Sequence, residues 1–568
     1  MRVVIFFFIF LLHLTIANAQ WTTNLSENTP VVTGSVSFAN QFASDNAGGF
    51  YLPFVYKRTG RGSYDVYIQH VNSMGVKLWS GLGIKLSAFQ QTLSNYSPHI
   101  ISDEQGGAIV MWQYCDSTFQ DTSKVLAQRI NSQGQLLWNP TGVLLSSRIG
   151  VQNVLSDLPM LYSDKKGGAF AIINTNFKGS TYVDLIVQRI NSDGNFLLSN
   201  FGIIPYSQFS NKSSFAGNYD NSGGIVLSWA SQNPGDSGYI FVQKVDSSGN
   251  LWSSNGNKAS SSTEGSPYGH PFTDLNGGVY VVYVNNYQGA FIQRVNSAGQ
   301  RVFSPHGIML NASGTDGEFP HCIVDNAGNA LISYVTKSMS SYRIYAQKIS
   351  LTGELLFGVN GKRISSSELN QGSPLNIISD GLNGFIIPYS QNNGLSTTYW
   401  DIYGQRINNN GDLMWGQNGA LICNAQWYQT NPFVFMMPNQ KFVFSWNDQR
   451  FGQSTGEVNI YIQRLNLDGT VPVKEANSKI PNKYNLSQNY PNPFNPSTSF
   501  SYSLPIESVV EINISDATGR SIFKNVIGSQ KPGIYNFRFD ATRLPSGIYF
   551  YSIQANEFTD TKKMILVK

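Results

Sequence analysis

Charge is scarce in this sequence. Asp, Glu, Lys and Arg together make up 13% of its 568 residues, and Phe, Trp and Tyr equal them at 13%. Helical proteins usually carry more Ala, Glu and Lys, so this balance argues against a helical body. The net charge is +4, but the excess sits at the two ends, in Arg2 and in the stretch from Lys483 onward. The middle of the chain is near neutral and offers no electrostatic footprint for DNA or RNA, so no nucleic-acid partner is expected. Cysteine is almost missing. Cys115, Cys322 and Cys423 lie far apart, cannot all pair within one molecule, and fit no metal spacing. Stability therefore has to come from packing rather than from a disulfide framework. No pair of histidines has metal-ligand spacing, no Asp-x-Asp-x-Asp loop is present, and neither a Gly-x-Ser-x-Gly elbow nor a phosphate loop occurs. No metal or cofactor is expected. Paired carboxylates of a glycosidase would come from distant segments and leave no spacing signature, so that chemistry stays open.

Long apolar runs are missing too, with one exception. Val3 to Ile16 is apolar apart from His13 and Thr15, follows the single positive charge of Arg2, and ends in Ala17-Asn18-Ala19. The run is too short to span a bilayer comfortably, and small residues occupy the two positions read by signal peptidase. Residues 1–19 are expected to be a signal peptide cleaved before Gln20. No other segment reads as transmembrane.

What the chain has in abundance is glycine, 53 copies, placed in a repeat. An Asp-x-x-Gly-Gly turn begins at Asp45, Asp103, Asp164, Asp220 and Asp274, with degenerate forms at Asp325 and Asp380. A Gln followed by a base recurs as Gln69-His70, Gln128-Arg129, Gln188-Arg189, Gln243-Lys244, Gln293-Arg294, Gln347-Lys348, Gln405-Arg406 and Gln463-Arg464. Six residues after each Gln stands a glycine: Gly75, Gly134, Gly194, Gly249, Gly299, Gly353, Gly411 and Gly469. A tryptophan often follows, as at Trp79, Trp138, Trp252 and Trp415.

These landmarks predict four short strands per copy. Asp bonds the turn backbone and Gly accepts a positive φ, so the first turn closes a hairpin. Four strands per repeat of this length describe a propeller blade. The expected fold is all-β: an eight-bladed β-propeller over residues 20–469, or seven-bladed if one copy is not a blade. The eighth copy lacks its fourth strand, and Trp21 with Pro30-Val31-Val32 resembles the missing piece. An N-terminal strand completing the last blade would close the ring and remove exposed edges. One position, Phe54, Trp112, Ile173, Trp229, Tyr283, Tyr334, Tyr389 and Trp446, is aromatic in all copies but one. Repetition at one site in every copy favours packing over a ring of sugar platforms.

After a linker at residues 470–483 the composition changes. Asn489-Tyr490-Pro491-Asn492-Pro493-Phe494-Asn495-Pro496 cannot be helix. Short strands and turns then alternate over 484–568, as in a small immunoglobulin-like β-sandwich. This tail resembles the type A C-terminal sorting domain of the type IX secretion system of Bacteroidota. The matching positions are Pro491, Pro493, Phe494 and Pro496; Asp516 and Gly519; Pro532, Gly533 and Tyr535; Leu544, Gly547 and Tyr549; and Lys562 and Lys563 near the end. The resemblance implies export by the signal peptide to the periplasm, then passage to the cell surface or the medium, with the secretion machinery as partner. It also implies a surface peptidase that removes the tail, with the linker before Tyr484 as the cleavage region.

For the repeat region the residues leave three readings. The leading one is a binding module for a glycan or a protein. The alternatives are a polysaccharide-acting enzyme and a structural spacer. The Asp turn differs in spacing from the Asp box of sialidase propellers, so no catalytic residue is carried across. The segments joining second and third strands vary most, and they carry Tyr114, Phe119, Phe177, Tyr287, Tyr399, Trp400, Arg450 and Phe451. Tyr114, Phe119, Tyr399, Trp400, Arg450 and Phe451 are the candidate ligand-face residues.

Overall fold

The computed structural model describes residues 21–568 except 35, 38–40, 58–63, 88–92, 117–123, 146–159, 177–182, 201, 207–210, 233–237, 261–265, 268–270, 286–288, 312–315, 339–340, 393, 395–398, 452–457, 472–482, 490 and 531. The expected signal peptide, Phe119, Phe177, Tyr287 and most of the linker lie outside the described residues. The protein is all-β, with no helix among the described residues. It divides into two compact units, with the boundary between Pro472 and Val473.

Eight antiparallel sheets follow one another in the first unit. The second is typical: Leu93–Ser102, Ala108–Asp116, Lys124–Ile130 and Val143–Leu144 pair in simple meander order. Each sheet buries both faces against its neighbours, so a central strand reads as an unbroken apolar run. In Ala108-Ile109-Val110-Met111-Trp112 every residue is inaccessible to water. Tyr51 and Ile68 of the first sheet pack on Ile100 and Trp112 of the second. Ile109 and Met111 pack on Leu161 and Ile173 of the third, and the pattern continues around. The eighth sheet returns to the first: Met437, Val443 and Ile462 share one cluster with Phe42, Phe50 and Phe54. The result is a closed, β-propeller-like ring.

The repeat landmarks prove to be the joints of this ring. In the Asp turn, Asp103 Oδ1 accepts the backbone N–H groups of Gln105 and Gly107, at 2.8 and 2.7 Å. Its Oδ2 takes the base of the Gln-Arg pair, with Arg129 at 2.9 Å. The same buried pair recurs as Asp164–Arg189, Asp274–Arg294, Asp325–Lys348, Asp380–Arg406 and, with histidine replacing the base, Asp45–His70. The base then reaches the next sheet. Arg129 Nη1 donates to Ser192 O at 2.9 Å, and Arg189 Nη1 to Ser247 O at 2.9 Å. Trp138 Nε1 converges on the same Ser192 carbonyl at 2.8 Å. That carbonyl lies two residues before Gly194, and a Cβ on Gly194 would sit 3.1 Å from the Trp138 ring at a φ of +83°. Glycine is required there because the tryptophan of one sheet lies against the turn of the next.

The repeated glutamine is equally fixed. Gln128 Oε1 accepts from the backbone of Arg129 and Trp138, and its Nε2 donates to Asn139 O at 2.7 Å. The amide thus bridges the third strand to the outer segment of its own sheet, fully buried. Removing one partner of a buried ion pair strands the other charge without water. Asp164→Ala is therefore expected to destabilise the first unit by about 3–5 kcal/mol, read as a shift of the urea midpoint.

The N-terminal segment closes the eighth sheet. Thr29–Val32 pairs antiparallel with Asn459–Leu465, placing Thr29 opposite Ile462 and Val32 opposite Ile460. Trp21 supplies the missing tryptophan, since its Nε1 donates to Ser73 O at 3.0 Å, and Gln463 Nε2 donates to Thr22 O at 2.9 Å. Arg464 Nη1 meets the same Ser73 carbonyl at 3.3 Å.

The second unit is a sandwich of two sheets. One contains Asn485–Leu486, Ser497–Leu504 and Gly533–Asp540. The other orders Ser521–Gln530, Ser508–Asp516, Gly547–Ala555 and Phe558–Leu566. Phe500, Tyr502 and Leu504 meet Ile512, Ile514, Tyr551 and Ile553 in its core.

Candidate functional site

The first strands of the eight sheets surround a central cavity of about 610 Å³. Its lining draws on every sheet and is mainly apolar, with Phe42, Ile100, Leu161, Phe272, Ile323 and Phe433 among the residues present. No carboxylate occurs among the described lining residues. Two of the amides at the wall, Gln41 and Asn376, bond to neighbouring strands. Gln41 Oε1 accepts Ile100 N–H at 3.2 Å, and its Nε2 meets His99 Nδ1 at 3.0 Å. Asn376 Nδ2 donates to Val434 O at 2.8 Å while its Oδ1 accepts Val434 N–H at 3.0 Å. His321 Nε2 contacts Pro374 O at 3.1 Å. The recurring aromatic position from Phe54 to Trp446 is at most 1% exposed in every copy, so none of these rings can reach a ligand. The hydroxyls of Tyr283, Tyr334 and Tyr389 donate to backbone carbonyls, and burial raises all three well above the usual phenol value.

A different group of aromatics lies where the seventh and eighth sheets meet. In a meander, the connection from second to third strand and the one leading to the next sheet emerge at the same end. The first kind carries Tyr399 in the seventh sheet, just before Trp400 opens the strand Trp400–Ile407, and Arg450 and Phe451 in the eighth. The second kind, between Ala420–Cys423 and Gln429–Met437, carries Trp427 and Tyr428. Backbone bonds join the three segments: Trp400 N–H to Trp427 O at 3.4 Å, and Gln449 N–H to Tyr428 O at 2.9 Å. Tyr399 stacks on Trp427 with ring centroids 5.6 Å apart and planes at 15°. Phe451 is 61% exposed, and Tyr399, Trp400, Trp427 and Tyr428 are half-buried. Trp427 holds a φ of +67°, a left-handed conformation that bulky residues rarely adopt.

Tyr399 and Trp400 thus lie beside the Trp427–Tyr428 connection, and Phe451 follows two residues after Gln449, which bonds to that connection. Tyr114 does not join them: it continues the strand Ala108–Asp116 two residues past Trp112 and packs into the cluster between the first two sheets. Arg450 is a clasp rather than a free cation. Its Nε and Nη2 hold the two oxygens of buried Asp448 at 2.8 and 2.7 Å. Its Nη1 donates to Ser26 O and Glu27 O, its Nη2 to Asn28 Oδ1, and its guanidinium lies 3.6 Å from the Tyr461 ring centre. Sequence reasoning passed over Trp427 and Tyr428. The available signal was an adjacent Trp-Tyr pair flanked by glutamines in a short connection.

Beneath this group Asp401 is buried, and desolvation pushes its carboxyl up to about 6. Burial likewise pushes up the thiols of Cys322 and Cys423, both free and enclosed, so neither is a poised nucleophile. An unfolded carboxyl titrates near its ordinary 3.8. Below that value Asp401 is protonated in both states and costs nothing. Between 3.8 and about 6 the unfolded chain releases this proton while the folded state still holds it, so stability falls across that window and stays lower above it. Asp401→Asn is expected to stabilise the protein by about 1–3 kcal/mol at pH 8 and by little at pH 4, measured by urea unfolding at both.

In the second unit the residues of the sorting motif occupy structural posts. Phe494 is buried, donates its N–H to Ile565 O at 2.9 Å and accepts Val567 N–H at 3.0 Å, tying the Pro/Asn segment to the final strand. The Asn492–Pro493 bond is cis. Pro491 O accepts from Thr498 Oγ1 at 2.8 Å, and Pro496 O accepts Ala541 N–H at 2.9 Å. Asp516 O accepts Gly519 N–H at 3.0 Å and its Oδ1 accepts Thr518 N–H at 2.9 Å. Pro532 and Gly533 lead into the strand that carries Tyr535, which stacks on Tyr502 at 5.5 Å. Leu544 packs against the core, Gly547 begins a strand, and Tyr549 Oη donates to Pro545 O at 2.7 Å. Lys562 and Lys563 lie on the last strand with Lys563 exposed.

An all-β protein with a propeller-like body and a separate sandwich tail is the class that the fold defines. Residues 488–568 match the family described as Secretion system C-terminal sorting domain. The tail is a type IX sorting domain, and it directs the protein to the cell surface or the extracellular space. No helix among the described residues is long and apolar enough to cross a membrane. No curated protein matches the chain. Among solved structures, a mutant of puromycin hydrolase is 10% identical with a TM-score of 0.38, covering 76% of this chain and 61% of its own. This chain therefore spans less than two thirds of that hydrolase. The β-propeller domain of the Trilobed protease from Pyrococcus furiosus is 9% identical with a TM-score of 0.37, covering 66% of this chain and 93% of its own. The polysaccharide lyase Uly1 is 11% identical with a TM-score of 0.40, covering 76% and 100%.

Proposed function

We propose that this protein is a surface or secreted binding protein, delivered by the type IX system, whose body is an eight-bladed propeller acting as an interaction module for a glycan or a protein. In this reading residues 1–19 are the leader, 20–469 the propeller, 470–483 the linker and 484–568 an immunoglobulin-like sorting domain. The observation that carries it is the group of five aromatics, Tyr399, Trp400, Trp427, Tyr428 and Phe451, gathered from three segments at one end of two adjoining sheets. Rigid aromatics near water, backed by backbone bonds, suit recognition of a flat or apolar ligand face. The cavity lining supports binding over hydrolysis, since its described residues include no acid pair.

The test is a combined screen of the exported protein against a glycan array, a panel of soluble polysaccharides and surface-protein extracts, with product analysis for chain cleavage. Binding without turnover is the expected result. Release of shortened oligosaccharides would replace the binding module by an enzyme.

A further inference from the structure

We infer that the Tyr399–Trp427 pair is a platform for the apolar face of an uncharged sugar ring, so that the ligand is a neutral polysaccharide; this rests on the binding-module reading above. Three observations lead there. The first is the platform itself, two rings stacked with nearly parallel planes and both only half-buried. Stacked rings hold each other's orientation, and each has a second face that the pair does not cover, of the kind that meets the C–H groups of a pyranose.

The second is the backbone of Trp427. A φ of +67° is a strained conformation for a tryptophan, and such strain persists only where the surroundings impose it. They do so here. The carbonyl of Trp427 accepts Trp400 N–H, the next carbonyl, Tyr428 O, accepts Gln449 N–H, and Gln429 Nε2 donates to Gln426 O at 2.9 Å. The connection is thus held from both sides in a conformation that a glycine would adopt freely, while carrying the largest side chain. An ordinary surface turn gains nothing from that choice.

The third is charge. Arg450 is the only cation among the described residues of the three segments, at 399–400, 424–429 and 448–451. Its five N–H donors meet Asp448, Ser26, Glu27 and Asn28, so none is left for a ligand carboxylate or sulfate. The polar groups beside the rings are amides, Asn424 and Gln426 exposed and Gln449 half-buried. Amides exchange hydrogen bonds with sugar hydroxyls as donor and acceptor alike and give an anion no preference.

The experiment uses the leaderless full chain in affinity electrophoresis. Gels contain glucomannan, xyloglucan or laminarin as neutral polymers, or alginate or polygalacturonate as anionic ones. Wild type, Trp427→Gly and Asp103→Glu are run side by side with melting curves. Trp427→Gly relieves the strained φ, so its melting temperature is expected to hold while retention by a neutral polymer falls at least about tenfold. Asp103→Glu perturbs a distant buried turn and reports the effect of lost stability alone. Retention only by anionic polymers, binding only to a protein, or neutral-polymer binding untouched by Trp427→Gly overturns the neutral-sugar inference and leaves the binding module standing. Absence of binding to every polymer and every protein extract overturns both.

Discussion

Removing residues 1–32 is expected to abolish cooperative unfolding of the first unit and to drive it into aggregates. Three buried apolar side chains leave with this segment: Trp21, Val31 and Val32, none more than 4% exposed. Losing a buried tryptophan costs about 3–5 kcal/mol, and each buried valine about 1.5–3 kcal/mol. Together they approach the whole stability of an ordinary domain, about 5–15 kcal/mol. The Asn459–Leu465 strand keeps Lys441–Asp448 on one side but loses its outer partner and becomes an open edge, a template for pairing between molecules. Arg450 loses Ser26, Glu27 and Asn28, leaving its charge with Asp448 and the Tyr461 ring. Circular dichroism melts with size-exclusion chromatography check this. The point variant Trp21→Ala should keep the fold but lower the urea midpoint by an amount equivalent to about 3–5 kcal/mol. A truncated chain that still melts in one sharp transition would show that the ring does not depend on its closing strand.

Removing Val473–Lys568 is expected to leave the protein in the periplasm with almost none at the surface or in the medium. The sorting domain is the part that the secretion machinery must read, and residues 488–568 carry its family signature. A milder variant separates the loss of sequence from the loss of fold. Phe494→Asp puts a charge into the core where the Pro/Asn segment meets the last strand, and should also block export. Cell fractionation with protease shaving measures both. Normal surface display of the truncated chain would remove the export assignment.

Much of the ring was legible because its signals are local and repeated. Asp103 to Gly107 closes a turn within five residues, by bonds from Asp103 Oδ1 to its own backbone, so composition alone identifies it. Gln128 likewise works mostly within its own sheet. The closing strand was legible by subtraction, because the last copy lacked what Trp21 and Val31-Val32 resemble. Tyr114 was misplaced among the variable loops because the strand Ala108–Asp116 runs beyond the repeat's usual end, so its ring turns into the interface instead of toward water. Arg450 looked like a free loop cation. Its partners at Ser26 to Asn28 lie more than four hundred residues away in the chain and could not be read from its surroundings.

By itself the sequence determined the strand periodicity, the turn chemistry and the sorting tail, since each rests on residues within a few positions of one another. Tertiary structure alone decided which of the candidate loop residues reach water. Tyr114 and Phe451 both belong by sequence to the variable connections, yet the first is sealed between two sheets and the second is 61% exposed. Burial depends on what a distant segment places opposite a ring. In a closed circle of sheets that partner comes from the next repeat, or from the other end of the chain.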